Sequence, residues 1–146
     1  MGFRLVRCDA EGRPQEPLAL SAPLVAHCAA SAALYARLGY AAPWVSYVAV
    51  DGALAVGGGA FVGAPVDGVV EIAYFTLPEH EGRGHARATA RGLVEIARAT
   101  LPTVVLKAFT LPERNASTAI LTKLGFRQVG IAQDPDAGTV WEWRSP

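Results

Sequence analysis

"EIAYFTLPEHEGRGHARA", Glu71–Ala88, passes from one kind of patterning to another within a single short run. Val69–Leu77, "VVEIAYFTL", is rich in β-branched and aromatic residues and reads as a strand. After Gly84 the apolar residues Ala86, Ala90, Leu93, Val94, Ala97 and Leu101 recur at helical spacing, and Pro102 stops the helix. Arg83, Arg87, Arg91 and Arg98 fall mostly on its other faces. Between strand and helix lies "EGRGHA". Such a junction presents unpaired backbone N–H groups and the positive end of a helix dipole, which together suit a phosphate. Gly82 and Gly84 let the backbone approach such a group, and Arg83, Arg87 or Arg91 can add charge. A glycine turn before an amphipathic helix looks the same, and the run alone does not separate the two.

Working outward, "FRLVRCD", Phe3–Asp9, alternates as a half-buried strand and is broken by Gly12, Pro14 and Pro17. Leu20–Leu38 predicts one helix, or two meeting near Pro23, with Leu24, Cys28, Ala32, Tyr35 and Leu38 on one face and Gly39 as the stop. "WVSYVAV", Trp44–Val50, a turn at Asp51-Gly52-Ala53, "LAVGGGAFVG" and a turn at Ala64–Gly68 lead into the Val69 strand, making a three-stranded meander. Gly57-Gly58-Gly59 marks a bulge or a close backbone approach, a packing feature rather than a ligand site. Downstream, "TVVLKAF", Thr103–Phe109, is a buried strand. "RNASTAILTKLGF" is a short helix with Asn115 or Ser117 near its start and Gly125 past its end, and "FRQVGIA" and "TVWEW" are two closing strands. The order β, α, βββ, α, β, α, ββ predicts a mixed α/β (α+β) fold. Its largely antiparallel sheet has six to seven strands crossed by three to four helices, in a single domain spanning residues 1–146.

Lys plus Arg and Asp plus Glu are 13 each, so no charge excess points to nucleic acid or a membrane surface as partner. The longest apolar runs are interrupted well short of a membrane span, and Arg4, Arg7, Asp9 and Glu11 interrupt any secretory core, which predicts a cytoplasmic protein. Cys8 and Cys28 are far apart without a CxxC partner and read as small buried thiols. His27, His80 and His85 lack ligand-like spacing, so no metal is expected.

Two nucleotide motifs fail on the glycine run. GxxxxGK[ST] is absent, and a dinucleotide fingerprint needs a third glycine where this chain has Arg87. The meander is also unlike the repeated βαβ units of a dinucleotide fold. What remains resembles the GNAT superfamily of N-acetyltransferases. Their signature [QR]xxGx[GA] matches Glu81-Gly82-Arg83-Gly84-His85-Ala86, departing only at Glu81. "TLPERNASTAILTKLGF", Thr110–Phe126, resembles a second signature, in which an Asn and a Ser precede a helix ending in K-L-G-F. "EIAYFTLPE" and the terminal "VWEW" resemble the fourth and the last strand.

The resemblance implies acetyl-CoA as co-substrate and direct transfer of its acetyl group to a primary amine, either a small molecule or a protein N-terminus. It implies that the fourth and fifth strands splay apart, and it places the pantetheine arm in the gap along Tyr74, Phe75 and Thr76 and the pyrophosphate on the backbone of Gly82, Arg83, Gly84, His85, Ala86 and Arg87. His85 then reads as a solvent-facing helix residue and His80 as loop surface. Glu71 stands in an otherwise apolar strand and is the candidate base; pairing with an arginine across the sheet is the alternative. The tyrosine that protonates the thiolate in many members corresponds to Leu121, and a glutamate used by some ribosomal-protein acetyltransferases corresponds to Phe109. The chain therefore looks closer to the Asn-Ser subgroup, with Ser117 near the sulfur. Asn115 would bind the arm or cap the helix, one residue late relative to NxxS, with Arg114 in the usual place. Trp44, Tyr47 and Tyr35 come from the region that shapes the acceptor pocket, and each fits ordinary core as well. Open sheet edges leave a homodimer open. Rival readings are a coenzyme-binding sensor without chemistry and an interaction protein whose glycine loop binds nothing.

Overall fold

The computed structural model describes residues 2–146. Its elements are β1 (Phe3–Arg7), α1 (Ala22–Leu38), β2 (Ser46–Asp51), β3 (Leu54–Phe61), β4 (Val69–Thr76), a 3₁₀ turn (Pro78–His80), α2 (His85–Thr100), β5 (Val105–Thr110), α3 (Ala116–Lys123), β6 (Arg127–Asp134) and β7 (Gly138–Arg144). This is the expected order. Pro23 sits in the first turn of α1, where its missing N–H costs nothing, so one helix forms rather than two.

All the strands join one sheet in the order β1-β2-β3-β4-β5-β7-β6. Neighbours are antiparallel except β4 and β5, which run parallel and pair only through Val69↔Val105, Val70↔Leu106 and Glu71↔Lys107. Beyond that point β4 stays with β3 as far as Thr76, while β5 stays with β7 as far as Thr110. The sheet therefore splits at Glu71 and Lys107.

Strand alternation distributes the core over the two faces of the sheet. On one, Val70, Ile72, Phe61 and Leu106 pack with Leu93 and Ala97 of α2 and Leu121 of α3. On the other, Val6, Cys8, Val48 and Val50 pack with Leu24 and Cys28 of α1. Both cysteines are free and buried, and burial pushes the Cys8 thiol up to about 12. The glycine run lies where the two layers approach. A Cβ on Gly58 would meet His27 and Phe75 at 2.8 Å, and one on Gly59 would meet Thr89 at 2.8 Å. The α1 stripe differs from its expected membership at two places. Leu38 is 59% exposed, and Ser31 is buried instead, with its hydroxyl donating to the His27 carbonyl at 2.9 Å and hydrogen-bonded to Ser46 Oγ at 2.6 Å. No helix among the described residues is long and apolar enough to cross a membrane.

Candidate active site

The parting of β4 and β5 opens a cleft of about 540 Å³. One wall is the end of β4, through Tyr74, Phe75 and Thr76; the floor is the loop into α2; the far wall is the first turns of α3, including Ser117. The loop follows from its glycines. Gly82 and Gly84 have φ of 78° and 83°, which side-chain-bearing residues rarely adopt, yet a Cβ on either would meet nothing within 4 Å. Within the protein itself, conformation is what requires glycine here. Gly84 is the N-cap of α2 and supplies no side-chain cap, so the first N–H groups of the helix are left free beside the cleft.

Most of the sequence-predicted residues meet here. Tyr74, Phe75, Thr76, Gly82, Gly84, His85, Ala86, Arg87 and Ser117 all line the cleft, as do His80 and Glu81. Arg83 does not. Asn115 also lies elsewhere: its side chain accepts from Thr118 N at 3.0 Å while Thr118 Oγ1 accepts from Asn115 N, a reciprocal cap of α3. It faces a separate groove with Trp141 and Trp143. His85 is not solvent-facing. It is 9% exposed, stacked on Phe3, edge-on to His80 and 3.9 Å from the Asp51 carboxylate. The helical periodicity placed it outside because it counts only contacts along the helix and not the β1 edge packed beside its N-terminus.

Glu71 belongs to a different surface. It shares a strand face with Phe75, whose ring meets His27 of α1, and it lines a second cavity with Asp67, Lys107 and Arg144. It is the last residue of β4 still paired with β5, so it stands at the apex where the sheet splits. Burial raises its carboxyl above the ordinary carboxylate range, with Lys107 pulling it partly back and Asp134 and Glu142 adding to the rise. Among the described residues it forms no ion pair; Arg144 binds Glu142 instead, at 2.8 Å.

One contact between two of the predicted residues was not legible in the sequence. The hydroxyls of Tyr74 and Ser117 lie 3.3 Å apart, a hydrogen bond joining β4 to α3. Burial pushes the Tyr74 phenol up, partly offset by the Ser117 contact. Strand periodicity gives the face of Tyr74 but no partner on an element more than forty residues away. Two residues expected near an acceptor are core instead. Tyr35 accepts from Ser46 N at 2.7 Å, and Tyr47, 2% exposed, donates to the Pro43 carbonyl. Trp44 packs edge-on to Phe61.

The sequence model of the family described as "Acetyltransferase (GNAT) domain" matches residues 14–127, most of the chain. The chain belongs to the GNAT acetyltransferase family. No curated protein matches it by sequence. Solved structures give the GNAT fold independently. An IAA acetyltransferase from Bacillus cereus ATCC 14579 superposes with a TM-score of 0.71 at 18% identity, covering 99% of both chains. RimL, a ribosomal L7/L12 alpha-N-protein acetyltransferase, gives 0.69 at 15% identity over 98% of this chain and 89% of its own. The aminoglycoside acetyltransferase AAC(6')-Ib, solved with coenzyme A, gives 0.58 at 20% identity over 69% and 65%. At these identities the likeness is one of fold.

Proposed function

We propose that this GNAT protein is an N-acetyltransferase that binds acetyl-CoA in the cleft between β4 and α3 and passes the acetyl group directly to a primary amine. The observation that carries this reading is the cleft itself. Where β4 leaves β5, free N–H groups of α2, two left-handed glycines and Arg87 meet a serine hydroxyl within one cavity. A pyrophosphate fits the helix end by charge and by hydrogen bonding. Tyr74, Phe75 and Thr76 lie along the length a pantetheine arm would follow from there to Ser117. Acetyl-CoA supplies the acetyl group as a thioester.

The chain's own groups divide the remaining work. Glu71 at the apex, held above the ordinary carboxylate range by burial, takes the proton of the attacking amine. The carbon–nitrogen bond forms as the carbon–sulfur bond breaks and its electron pair stays on sulfur. Ser117 Oγ donates a hydrogen bond to that sulfur. Solvent then returns the sulfur to the thiol and takes the proton from Glu71. Because Glu71 and Ser117 lie on different surfaces, the amine enters from the Glu71 side and the coenzyme from the other, meeting where the strands part. The acceptor class is supported by the names of two proteins of this fold, one acetylating aminoglycosides and one a ribosomal protein's α-amino group.

A second copy is the partner that the open edge of β6 fits. Val129 and Ile131 are 55% and 67% exposed there. Antiparallel self-pairing about Ile131, with the bulge near Val129 in each copy, sets Arg127 of one against Asp134 of the other.

Thiol release from acetyl-CoA, measured against a panel of aminoglycosides, polyamines, amino acids and N-terminal peptides, tests the function. Turnover with at least one amine class is expected. A thermal shift with acetyl-CoA but no turnover with any amine would select a coenzyme sensor, and no thermal shift at saturation would select an interaction protein.

A further inference from the structure

We propose that Tyr74 is a positioning residue for Ser117: it donates its phenolic hydrogen to Ser117 Oγ, and so leaves the serine's own hydrogen directed into the cleft, towards the acyl-donor sulfur. This rests on the reading of the cleft as a coenzyme site. The two hydroxyls are 3.3 Å apart, and the distance alone permits either to donate. Relative acidity decides the direction: a phenol is the stronger donor and an alkyl hydroxyl the stronger acceptor. The Tyr74 ring packs against the main core cluster, and among the described residues Ser117 is the sole hydrogen-bond partner of its hydroxyl. If Ser117 donated, the less acidic hydroxyl would give its hydrogen to the poorer acceptor. If Tyr74 donates, the hydrogen left over belongs to Ser117, which lines the cleft and can reach water or ligand. Burial also keeps the phenol protonated as pH rises, so it stays a donor.

The arrangement answers a departure in the sequence. In the family pattern a tyrosine on α3 stands at the position of Leu121, but Leu121 is 0% exposed and belongs to the core. No phenol can come to the cleft from there without emptying that core position. Tyr74 brings one from the opposite wall. A raised phenol is a poor proton source, so it orients the serine rather than acting as the acid itself.

The test is the ionisation of the thiol of bound CoA, followed by thiolate absorbance against pH in the enzyme–CoA complex. With the serine hydrogen aimed at sulfur, the bound thiol ionises at lower pH than free CoA. Tyr74→Phe, which keeps the ring and its packing, should return the bound-thiol pKa by about one pH unit towards the free value and lower kcat about tenfold. CoA affinity should change little. Ser117→Ala should remove the whole effect, and adding Tyr74→Phe to it should change nothing further. An unaltered thiol pKa in Tyr74→Phe, or additive effects of the two substitutions, would overturn the inference while leaving the coenzyme site in place. Failure of CoA to bind the unaltered protein would overturn both.

Discussion

Glu71 joins local chemistry to fold more closely than any other residue. It is the last rung of the β4–β5 ladder, and burial raises its carboxyl above the ordinary range. A group whose carboxyl is raised on folding binds its proton more tightly in the folded state. Its contribution to stability is therefore complete below the unfolded pKa and is lost as pH rises through the folded one. Above that pH the ionised Glu71 is a burden, and there Glu71→Gln should leave the melting temperature unchanged or higher, whereas loss of a structural ion pair would lower it. The same substitution should cut kcat by roughly 10²–10⁴ and abolish an acid limb in kcat/KM that lies above the ordinary carboxylate range, read from a pH–rate profile. Glu81 carries a separate prediction. It lines the cleft where the family signature has Gln or Arg, and its charge opposes an anion there. Glu81→Gln should tighten acetyl-CoA about two- to fivefold by calorimetry, more at low salt than at high. Glu71 was legible in the sequence as one charge in an apolar strand. The Tyr74–Ser117 bond was not, because it depends on how far β4 and β5 diverge, and no local pattern records that.

Period and turn chemistry brought every strand and helix into view, and their limits mark where the sequence stops informing. The "RQVGIAQD" strand extends past its expected end because pairing with β7, not its own pattern, sustains it. The glycine run was readable as close packing but not as packing from two sides. Gly57 is its strictest member: a Cβ there would meet the Phe75 carbonyl oxygen at 2.3 Å and the Thr76 Cα at 3.0 Å, backbone that cannot turn aside. Gly57→Ala should cost about 1–3 kcal/mol by overpacking, lower the melting temperature by roughly 2–12 °C, and weaken coenzyme binding by displacing the β4 wall. Gly130→Ala, whose Cβ would meet nothing within 4 Å, is the control that should leave both unchanged. Asn115 shows the converse. The sequence offered it as coenzyme ligand or as cap, and the reciprocal bonds with Thr118 show it capping α3.

Across the whole molecule, the sheet's one parallel junction is also its line of weakness, and the cleft opens there. Glu71 and Ser117 line different cavities, and in the proposed reaction donor and acceptor therefore approach separately. Strand order leaves β1 and β6 as open edges. Sedimentation velocity should find a dimer, and Ile131→Lys, placing two charges on the pairing axis, should convert it to monomer; a monomeric unaltered protein at micromolar concentration would refute the edge pairing. The mixed sheet was foreseen from element order and the parting of β4 from β5 from the family resemblance, while the residues at which they part, Glu71 and Lys107, were not, since no local pattern states where two strands cease to pair. A structure of the protein crystallised with CoA tests the central claim most directly. Pyrophosphate is expected on the N–H groups between Gly82 and Arg87, with the thiol within hydrogen-bond reach of Ser117 Oγ. CoA seated elsewhere, or its sulfur turned away from Ser117 and the point where β4 leaves β5, would contradict it.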